Sequence, residues 1–185
     1  AEMIKTRSTV APWALVAAVA AMGASAAMPV VAQVPPSPAE AAAFVGLHAA
    51  AHHGDVKAVE RLAAVSKAAR EVRDANARAP LHVATFARQR GAVKALLAAG
   101  ADTSALDGGR YDAVTIAAVA DDEETLRLLL AGGASAKLVT SRYDGTALIA
   151  AAHLGHDGVV RQLIAAGAPL DHVNNLYWTA LIEAI

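Results

Sequence analysis

Apolar residues recur along the chain at an interval of 33 or 34 residues. The marker positions, each followed by helically spaced alanine or other apolar residues, are Leu47, Leu81, Val114, Leu148 and Leu181. A second marker, the glycine that closes a leucine-rich segment, recurs with the same interval at Gly100, Gly133 and Gly167. Two independent markers with one period indicate a repeat protein, in which each copy is one supersecondary unit.

Each copy predicts two short helices joined by a turn. The second helix carries an apolar pair, at Leu96–Leu97, Leu129–Leu130 and Leu163–Ile164. A helix pair of this size has one apolar face and cannot bury it alone, so stacked neighbours complete the core. We therefore predict an all-α solenoid of about four full repeats and a partial fifth. The approximate repeats are 45–78, 79–111, 112–145, 146–178 and 179–185.

Residues that favour helix ends fall where this pattern places them. The three marker glycines follow the second helices, where a left-handed residue ends a helix at low cost. Asp55 and Asp157 lie near the starts of second helices, where acidic groups complement the helix dipole. Pro80 opens a first helix, a position that proline tolerates. The acidic run Asp121–Glu124 is interpreted as a solvated helix start, with calcium binding as the alternative.

The copies resemble the ankyrin repeat, a 33-residue unit of a turn and two helices. Its T-P-L-H-x-A-A motif matches "APLHVAT" and "TALIAAA", and its closing L-L-x-x-G-A matches "LLAAGAD", "LLAGGAS" and "LIAAGAP". The resemblance covers Val45 to Ile185. It implies a non-catalytic protein-binding module that uses its concave face and hairpin tips. It also implies that His48 and His82 hydrogen-bond the backbone of a neighbouring loop.

The copies depart from the family pattern at several positions. Ala79 and Asp112 replace the motif's threonine in the second and third copies. Its histidine is replaced in the last three copies by Thr115, Ile149 and Ile182. The turn between the helices has glycine at Gly54 and Gly155, but Arg88 and Asp121 in the second and third copies. We expect the third copy to be the least stable, or to be shifted for a functional purpose.

The N-terminal segment has the order of a secretory signal peptide. Lys5 and Arg7 precede an apolar run from Val10 to Met22, and small residues follow. We predict a signal peptide over residues 1–32, cut after Ala32 or, alternatively, Ala26, and a proline-rich linker over 33–43. An uncleaved membrane anchor over 10–32 is the alternative. Export would make the protein periplasmic or secreted.

Composition narrows the remaining possibilities. The 185-residue chain has a net charge of −1, which is not the basic footprint of a nucleic-acid binder. The absence of cysteine excludes disulfides, cysteine zinc sites and a cysteine nucleophile. The chain starts at Ala1 rather than methionine and stops inside a fifth copy, so we expect a longer reading frame, with Met3 as a possible start.

The stretch "LHAAAHHGD" raises the question of a metal site, because His48 and His52 share one helix face. It lacks the H-E-x-x-H spacing and the further ligands that zinc needs, so we predict no metal and no cofactor. We place His52, His53 and His153 at exposed positions of first helices, facing the concave groove. No nucleophile elbow or phosphate-binding loop is present in the sequence, so we predict no enzyme activity.

The candidate partner-binding residues combine these histidines with aromatic and arginine side chains near the hairpins. The hairpin candidates are Tyr111, Arg142, Tyr143, Tyr177 and Trp178. Aromatic residues and arginine are frequent interface anchors, although Tyr111 and Trp178 could instead pack under the next hairpin. The expected partner is a protein. The runner-up function is an accessory factor that protects or matures a periplasmic enzyme, perhaps through metal-binding histidines; an enzyme using the histidines is a weaker third reading.

Overall fold

The computed structural model describes residues 33–184, which form four helix–turn–helix pairs flanked by short helices. The first helices of the pairs are α2 (Gly46–His53), α5 (Pro80–Phe86), α7 (Ala113–Val119) and α9 (Ala147–His153). The second helices are α3 (Val56–Ala63), α6 (Arg90–Ala98), α8 (Glu123–Ala131) and α10 (Asp157–Ala165). Shorter elements are α1 (Pro38–Ala43), α4 (Lys67–Arg70), α11 (Ala180–Glu183), β1 (Val139–Thr140) and β2 (Gly145–Thr146). The predicted signal segment lies outside the described residues.

The helices stack in two layers. First helices pack on first helices in the order α2, α5, α7, α9, α11, and second helices pack in the order α3, α6, α8, α10. The core between the layers holds the first four marker residues, Leu47, Leu81, Val114 and Leu148, whereas the fifth, Leu181, is exposed. It also holds one residue of each predicted apolar pair, with Leu96, Leu129 and Leu163 fully buried. Fully buried alanines along the first helices let neighbouring helices approach closely; they are Ala51, Ala84, Ala117 and Ala151. The predicted all-α repeat fold is confirmed.

The predicted helix ends are confirmed in detail. Asp55 caps α3, where its carboxylate accepts a hydrogen bond from the Ala58 backbone N–H at 3.0 Å. Pro80 is the first residue of α5. The marker glycines have left-handed φ values of 82°, 91° and 80° in chain order. Arg88 and Asp121 are also left-handed, with φ of 54° and 51°, as their alignment with Gly54 and Gly155 predicts.

The two motif histidines have the roles that the resemblance implies. His48 Nε2 donates to the Arg78 carbonyl at 2.8 Å, and His82 Nε2 donates to the Ala105 carbonyl at 2.9 Å. The Nδ1 of His82 accepts from the Ala79 N–H at 3.0 Å, so both ring nitrogens of this buried side chain are satisfied. Each histidine therefore fastens a first helix to the hairpin segment that follows its own repeat.

The third copy keeps the common layout by a different set of hydrogen bonds. Asp112 caps α7 and accepts from the Thr115 N–H at 2.9 Å and the Thr115 hydroxyl at 2.5 Å. The same hydroxyl lies 3.0 Å from the hydroxyl of Thr140 in β1. Thr115 thus fastens α7 to the following hairpin, as His48 and His82 do in their copies.

The proline-rich linker is shorter than predicted, because α1 begins at Pro38. Ser37 and Glu40 form a reciprocal capping box: the Ser37 hydroxyl accepts from the Glu40 N–H at 3.2 Å, and Glu40 accepts from the Ser37 N–H at 2.8 Å. Pro38 sits at the first helical position, where its missing N–H costs no hydrogen bond. The segment 33–43, predicted as a linker, therefore contains a helix over residues 38–43.

Candidate partner-binding surface

The hairpins between repeats are joined to one another through their backbones and form one continuous edge. The Gly108 N–H donates to the Asn76 carbonyl at 2.9 Å, and the Ser141 N–H donates to the Arg110 carbonyl at 2.8 Å. The last link runs from the Asn175 N–H to the Tyr143 carbonyl at 2.9 Å. Side chains on these hairpins are therefore held at fixed separations, as a preformed binding surface requires.

A side-chain oxygen closes each hairpin at an equivalent position. Asp107 accepts from the N–H groups of Gly109 and Tyr111 at 2.8 and 2.9 Å. Asn174 accepts from those of Leu176 and Trp178 at 2.9 and 3.0 Å. Asp74 closes the first hairpin in the same way, and Ser141 accepts from the Tyr143 N–H at 3.2 Å. None of these closing residues was predicted from the sequence, although they recur with the repeat period.

Each hairpin also contains a non-glycine residue in the left-handed conformation. At equivalent positions these residues are Ala77, Arg110, Asp144 and Tyr177, with φ of 56°, 66°, 51° and 64°, and the third hairpin has a further one at Ser141, with φ of 64°. A left-handed conformation is disfavoured for residues with a Cβ atom, and a bulky side chain there is unusual. Tyr177 is the aromatic residue among the four, and residues held in such conformations concentrate at functional sites.

Tyr177 and Trp178 place two adjacent aromatic side chains at the last hairpin. Tyr177 is 85% exposed, and Trp178 is 43% exposed. The indole of Trp178 is thus partly packed and partly accessible, which combines the two alternatives considered from the sequence. The Tyr177 ring is almost fully available for contact.

Arg142 and Tyr143 lie on the neighbouring hairpin and adjoin this pair. Arg142 is exposed and Tyr143 is half-buried. The Asn175 side-chain amide donates to the Arg142 carbonyl at 3.0 Å, in addition to the backbone bond to Tyr143. The structure therefore brings four of the predicted residues onto two directly bonded hairpins.

Tyr111 does not belong to this accessible group. It is 9% exposed, and burial raises the pKa of its phenol. Tyr111 lies immediately before Asp112, the N-cap residue where the chain enters α7. The prediction of Tyr111 as a partner-binding anchor is thus corrected to a packing role, the alternative that its spacing also allowed.

The predicted histidines lie at opposite ends of the first-helix layer. His52 is half-buried, with its ring edge-on to Phe44 at 5.8 Å and to His53 at 5.2 Å, and burial lowers its pKa. His53 is exposed, as predicted. His153 is also exposed, and its Nδ1 lies 2.7 Å from Glu183 Oε2 on α11. His52 is less exposed than predicted because the ring of Phe44, just before α2, lies against it.

The described histidine, aspartate and glutamate side chains include no group of three or more arranged to hold a metal ion. His48 is bonded to a backbone carbonyl, which removes it from the His48–His52 pair that raised the question of a metal. Within residues 33–184, no helix is both long and apolar enough to cross a membrane.

Comparison with known proteins agrees with this geometry. A family model described as ankyrin repeats (3 copies) matches residues 43–107 and 114–185, which together are more than half of the chain. The chain belongs to the ankyrin repeat family.

Ankyrin repeat proteins similar to this chain occur in bacteria. The ankyrin repeat protein YahD from Escherichia coli (strain K12) is 30% identical to this chain over 137 residues. The match covers 74% of this chain and 67% of YahD. The crystal structure of an ankyrin repeat domain from Acinetobacter baumannii AYE is 41% identical, with a TM-score of 0.69 over 75% of this chain and 69% of that domain. Ankyrin repeats are protein–protein interaction modules, and this fold is typically non-catalytic.

Proposed function

We propose that this ankyrin repeat chain is an exported, non-catalytic module that binds a protein partner along its hairpin edge and the exposed face of its first helices. The observation that carries the proposal is the pair of bonded hairpins that present Arg142, Tyr143, Tyr177 and Trp178. Aromatic and arginine side chains on a rigid frame lose little conformational freedom when they bind, which favours affinity.

The contact is proposed to centre on Tyr177. Its left-handed backbone costs about 1–2 kcal/mol by comparison with the right-handed region. Its 85% exposed ring recovers none of that cost by packing inside the fold. A role in binding accounts for keeping a tyrosine at a position where glycine would be more stable. Tyr143, on the adjoining hairpin, has an apolar ring and a polar hydroxyl suited to the rim of the same contact.

The test is capture of partners from a periplasmic extract, followed by titration of a captured partner against variants. We expect Tyr177→Ala and Tyr143→Ala each to weaken binding by about 1 kcal/mol or more. Tyr143→Ala should change the free energy of unfolding by less than about 1 kcal/mol. The matched control is Val65→Ala, which removes an exposed apolar side chain that follows the second helix α3, away from the hairpins and the first helices. Equal affinities for all three variants would exclude the hairpin contact.

Export is proposed from Lys5, Arg7 and the apolar run that follows them. Expression in a Gram-negative host followed by fractionation should place the protein in the periplasm or the medium. N-terminal sequencing should then begin at Gln33, or at Ala27 for the alternative cleavage. Soluble cytoplasmic protein that retains Met3 would contradict export.

A further inference from the structure

Residues 37–44, here called the strap, consist of Ser37, helix α1 and Phe44 and lie against the first repeat. Glu40 in the strap precedes Asp74 by one repeat period, and Phe44 precedes Arg78 by the same interval. Asp74 is the residue that closes the first hairpin. In the repeat frame, the strap therefore takes the place of the hairpin that a preceding repeat would supply.

Glu40 ties the strap to the first hairpin. Its Oε1 accepts from Arg78 Nη2 at 2.8 Å and also from the side-chain amide of Asn76, while its Oε2 accepts from the Ser37 N–H at 2.8 Å. The side chain of Arg78 is only 3% exposed, and its Nε donates to Asp74 Oδ2 at 2.7 Å. Asp74 bonds within its own hairpin, whereas Glu40 bonds forward to the next one.

Phe44 is the second anchor of the strap. Its ring stacks on the ring of His48 in α2, with the centroids 5.6 Å apart and the planes at 28°. The Cζ of Arg78 lies 6.0 Å from the centroid of the Phe44 ring, a favourable placement for a cation. Arg78 therefore interacts with both anchors, Glu40 and Phe44.

The rest of the strap has little support of its own. Helix α1 has six residues and buries none of them. A helix this short is not stable in water by itself. A groove of about 750 Å³ lies beside it, lined by Ala43 and Phe44 of the strap and by Leu62 and Val65 of the first repeat. Helix α1 therefore depends on its two anchors.

From these contacts we infer that the strap is a two-state closing device. It closes the N-terminal end of the stack while Glu40 binds Arg78 and Asn76, and it opens as one unit when that contact is lost. Opening uncovers the ring of His48 and widens the groove beside α3. The device does not depend on partner binding at the hairpins.

Salt, rather than mild acid, should control the strap. Hydrogen bonds from Ser37 and the nearby charge of Arg78 lower the pKa of Glu40 to about 2, so the carboxylate stays ionised near neutral pH. The side chain of Glu40 is 34% exposed, so dissolved ions can screen the pair. The screening length falls from about 10 Å at 0.1 M salt to about 3 Å at 1 M. High salt should therefore favour the open strap.

The experiment is amide hydrogen exchange, read by mass spectrometry, on the 185-residue chain and three variants. Glu40→Gln removes the charge but keeps the capping box, because glutamine also serves at that helix position. Asn76→Ala removes the second donor from an exposed position. Glu60→Gln is the matched control, since Glu60 is an exposed glutamate on α3 that does not line the groove.

Residues 40–44 should exchange about tenfold faster or more in Glu40→Gln, because a hydrogen bond between two charged groups becomes one to a neutral amide. Asn76→Ala should accelerate the same amides to a smaller extent, and Glu60→Gln should leave them unchanged. Residues 147–153 of α9 should exchange at the wild-type rate in all three variants. At 1 M salt, exchange of the strap should accelerate in the wild type but not in Glu40→Gln.

Three results would overturn the inference. The first is unchanged exchange of residues 40–44 in Glu40→Gln or in Asn76→Ala. The second is an acceleration in α9 as large as that in the strap, which would indicate a loss of global stability rather than opening of one unit. The third is an acceleration by salt that persists in Glu40→Gln, because the ion pair would then not be what holds the strap.

Discussion

At the scale of single residues, the unusual feature of this chain is the number of non-glycine residues in the left-handed conformation. Arg88 and Asp121 occupy it in the turns between helices. The residues that occupy it in the hairpins are Ala77, Arg110, Ser141, Asp144 and Tyr177. The surrounding hydrogen bonds hold these backbones in place despite the cost. Ala77 is the simplest of them, because its side chain is a single exposed methyl group.

Replacing Ala77 with glycine should stabilise the fold. The left-handed conformation costs an alanine about 1–2 kcal/mol, and glycine loses about 0.4–1 kcal/mol through the greater entropy of the unfolded chain. The expected net gain in the free energy of unfolding is about 0.5–1 kcal/mol, measured by urea denaturation. Ala75→Gly is the control, since Ala75 lies in the same hairpin without a positive φ. That variant should be neutral or destabilised, and a gain equal to that of Ala77→Gly would refute the strain at Ala77.

His82 should make stability depend on pH. Burial lowers its pKa below the ordinary value of 6.5. The neutral ring satisfies both nitrogens, whereas protonation would place a hydrogen on the Nδ1 that accepts from Ala79. Below about pH 6.5, His82 is therefore protonated in the unfolded chain before it is protonated in the folded chain. The folded state loses stability relative to the unfolded state as the pH falls through this range.

We expect the free energy of unfolding to fall between about pH 7.5 and about pH 5.5, by up to about 1.4 kcal/mol per pH unit for a single group. Urea denaturation across this range measures the slope, and His82→Gln should reduce it. A smaller slope of the same sign should remain from His52, whose pKa burial also lowers. An unchanged slope in His82→Gln would show that His82 is not the group responsible.

At the scale of elements, each second helix uses the two residues of its apolar pair differently. In α10, Leu163 is fully buried between the layers, whereas Ile164 is 46% exposed in a groove that Leu170 and Leu181 also line. The equivalent Leu97 and Leu130 are half-buried, because another second helix follows them. One residue of each pair therefore packs inside its own repeat, and the other lies on the side that faces the next second helix.

Leu163→Ala should destabilise the protein by about 2–5 kcal/mol, because it leaves a cavity in the core. Ile164→Ala, the matched control one residue away, should cost less than about 1 kcal/mol, because its side chain is already half in solvent. Chemical denaturation at low protein concentration compares the two. Similar losses of stability from both substitutions would show that Ile164 belongs to the core. The repeat frame would then be one residue out of register.

At the scale of the whole molecule, stability is a sum over repeats and the contacts between neighbours. The inner pairs α5–α6 and α7–α8 have a helix pair on each side, but α11 has only four residues and leaves Leu181 and Ile182 exposed. The last copy therefore gains little from stacking.

Amide hydrogen exchange should show this gradient. We expect residues 174–184 to exchange faster than residues 147–166, because fewer buried contacts oppose local opening of α11. Equal protection of the two segments would show that the fifth copy is as firmly held as the fourth. The same measurement compares the stability of the third copy with that of the fourth. Lower protection in α7 and α8 than in α9 and α10 would confirm the low stability that the sequence of the third copy predicts.

Much of the fold was determined by local sequence. The 33- or 34-residue period placed every helix pair. Helix ends were marked by Asp55, Pro80 and Gly100, because end signals depend on neighbours within a turn or two of the chain. The same alignment predicted the left-handed backbones of Arg88 and Asp121. The resemblance to the ankyrin repeat implied the backbone hydrogen bonds of His48 and His82. The short helix α1 was missed, although its capping box at Ser37 and Glu40 is also a local signal.

Accessibility was decided by the tertiary structure. Tyr111 and Trp178 both precede their marker residue by three positions, yet the structure buries Tyr111 and leaves Trp178 partly exposed. Leu163 and Ile164 are adjacent and similar, yet one is in the core and the other lines a groove. A residue's burial depends on what another repeat places over it, and that contact joins residues a full period apart. The sequence determined which residues face the stack, and only the stacking itself decided which of them remain available to bind.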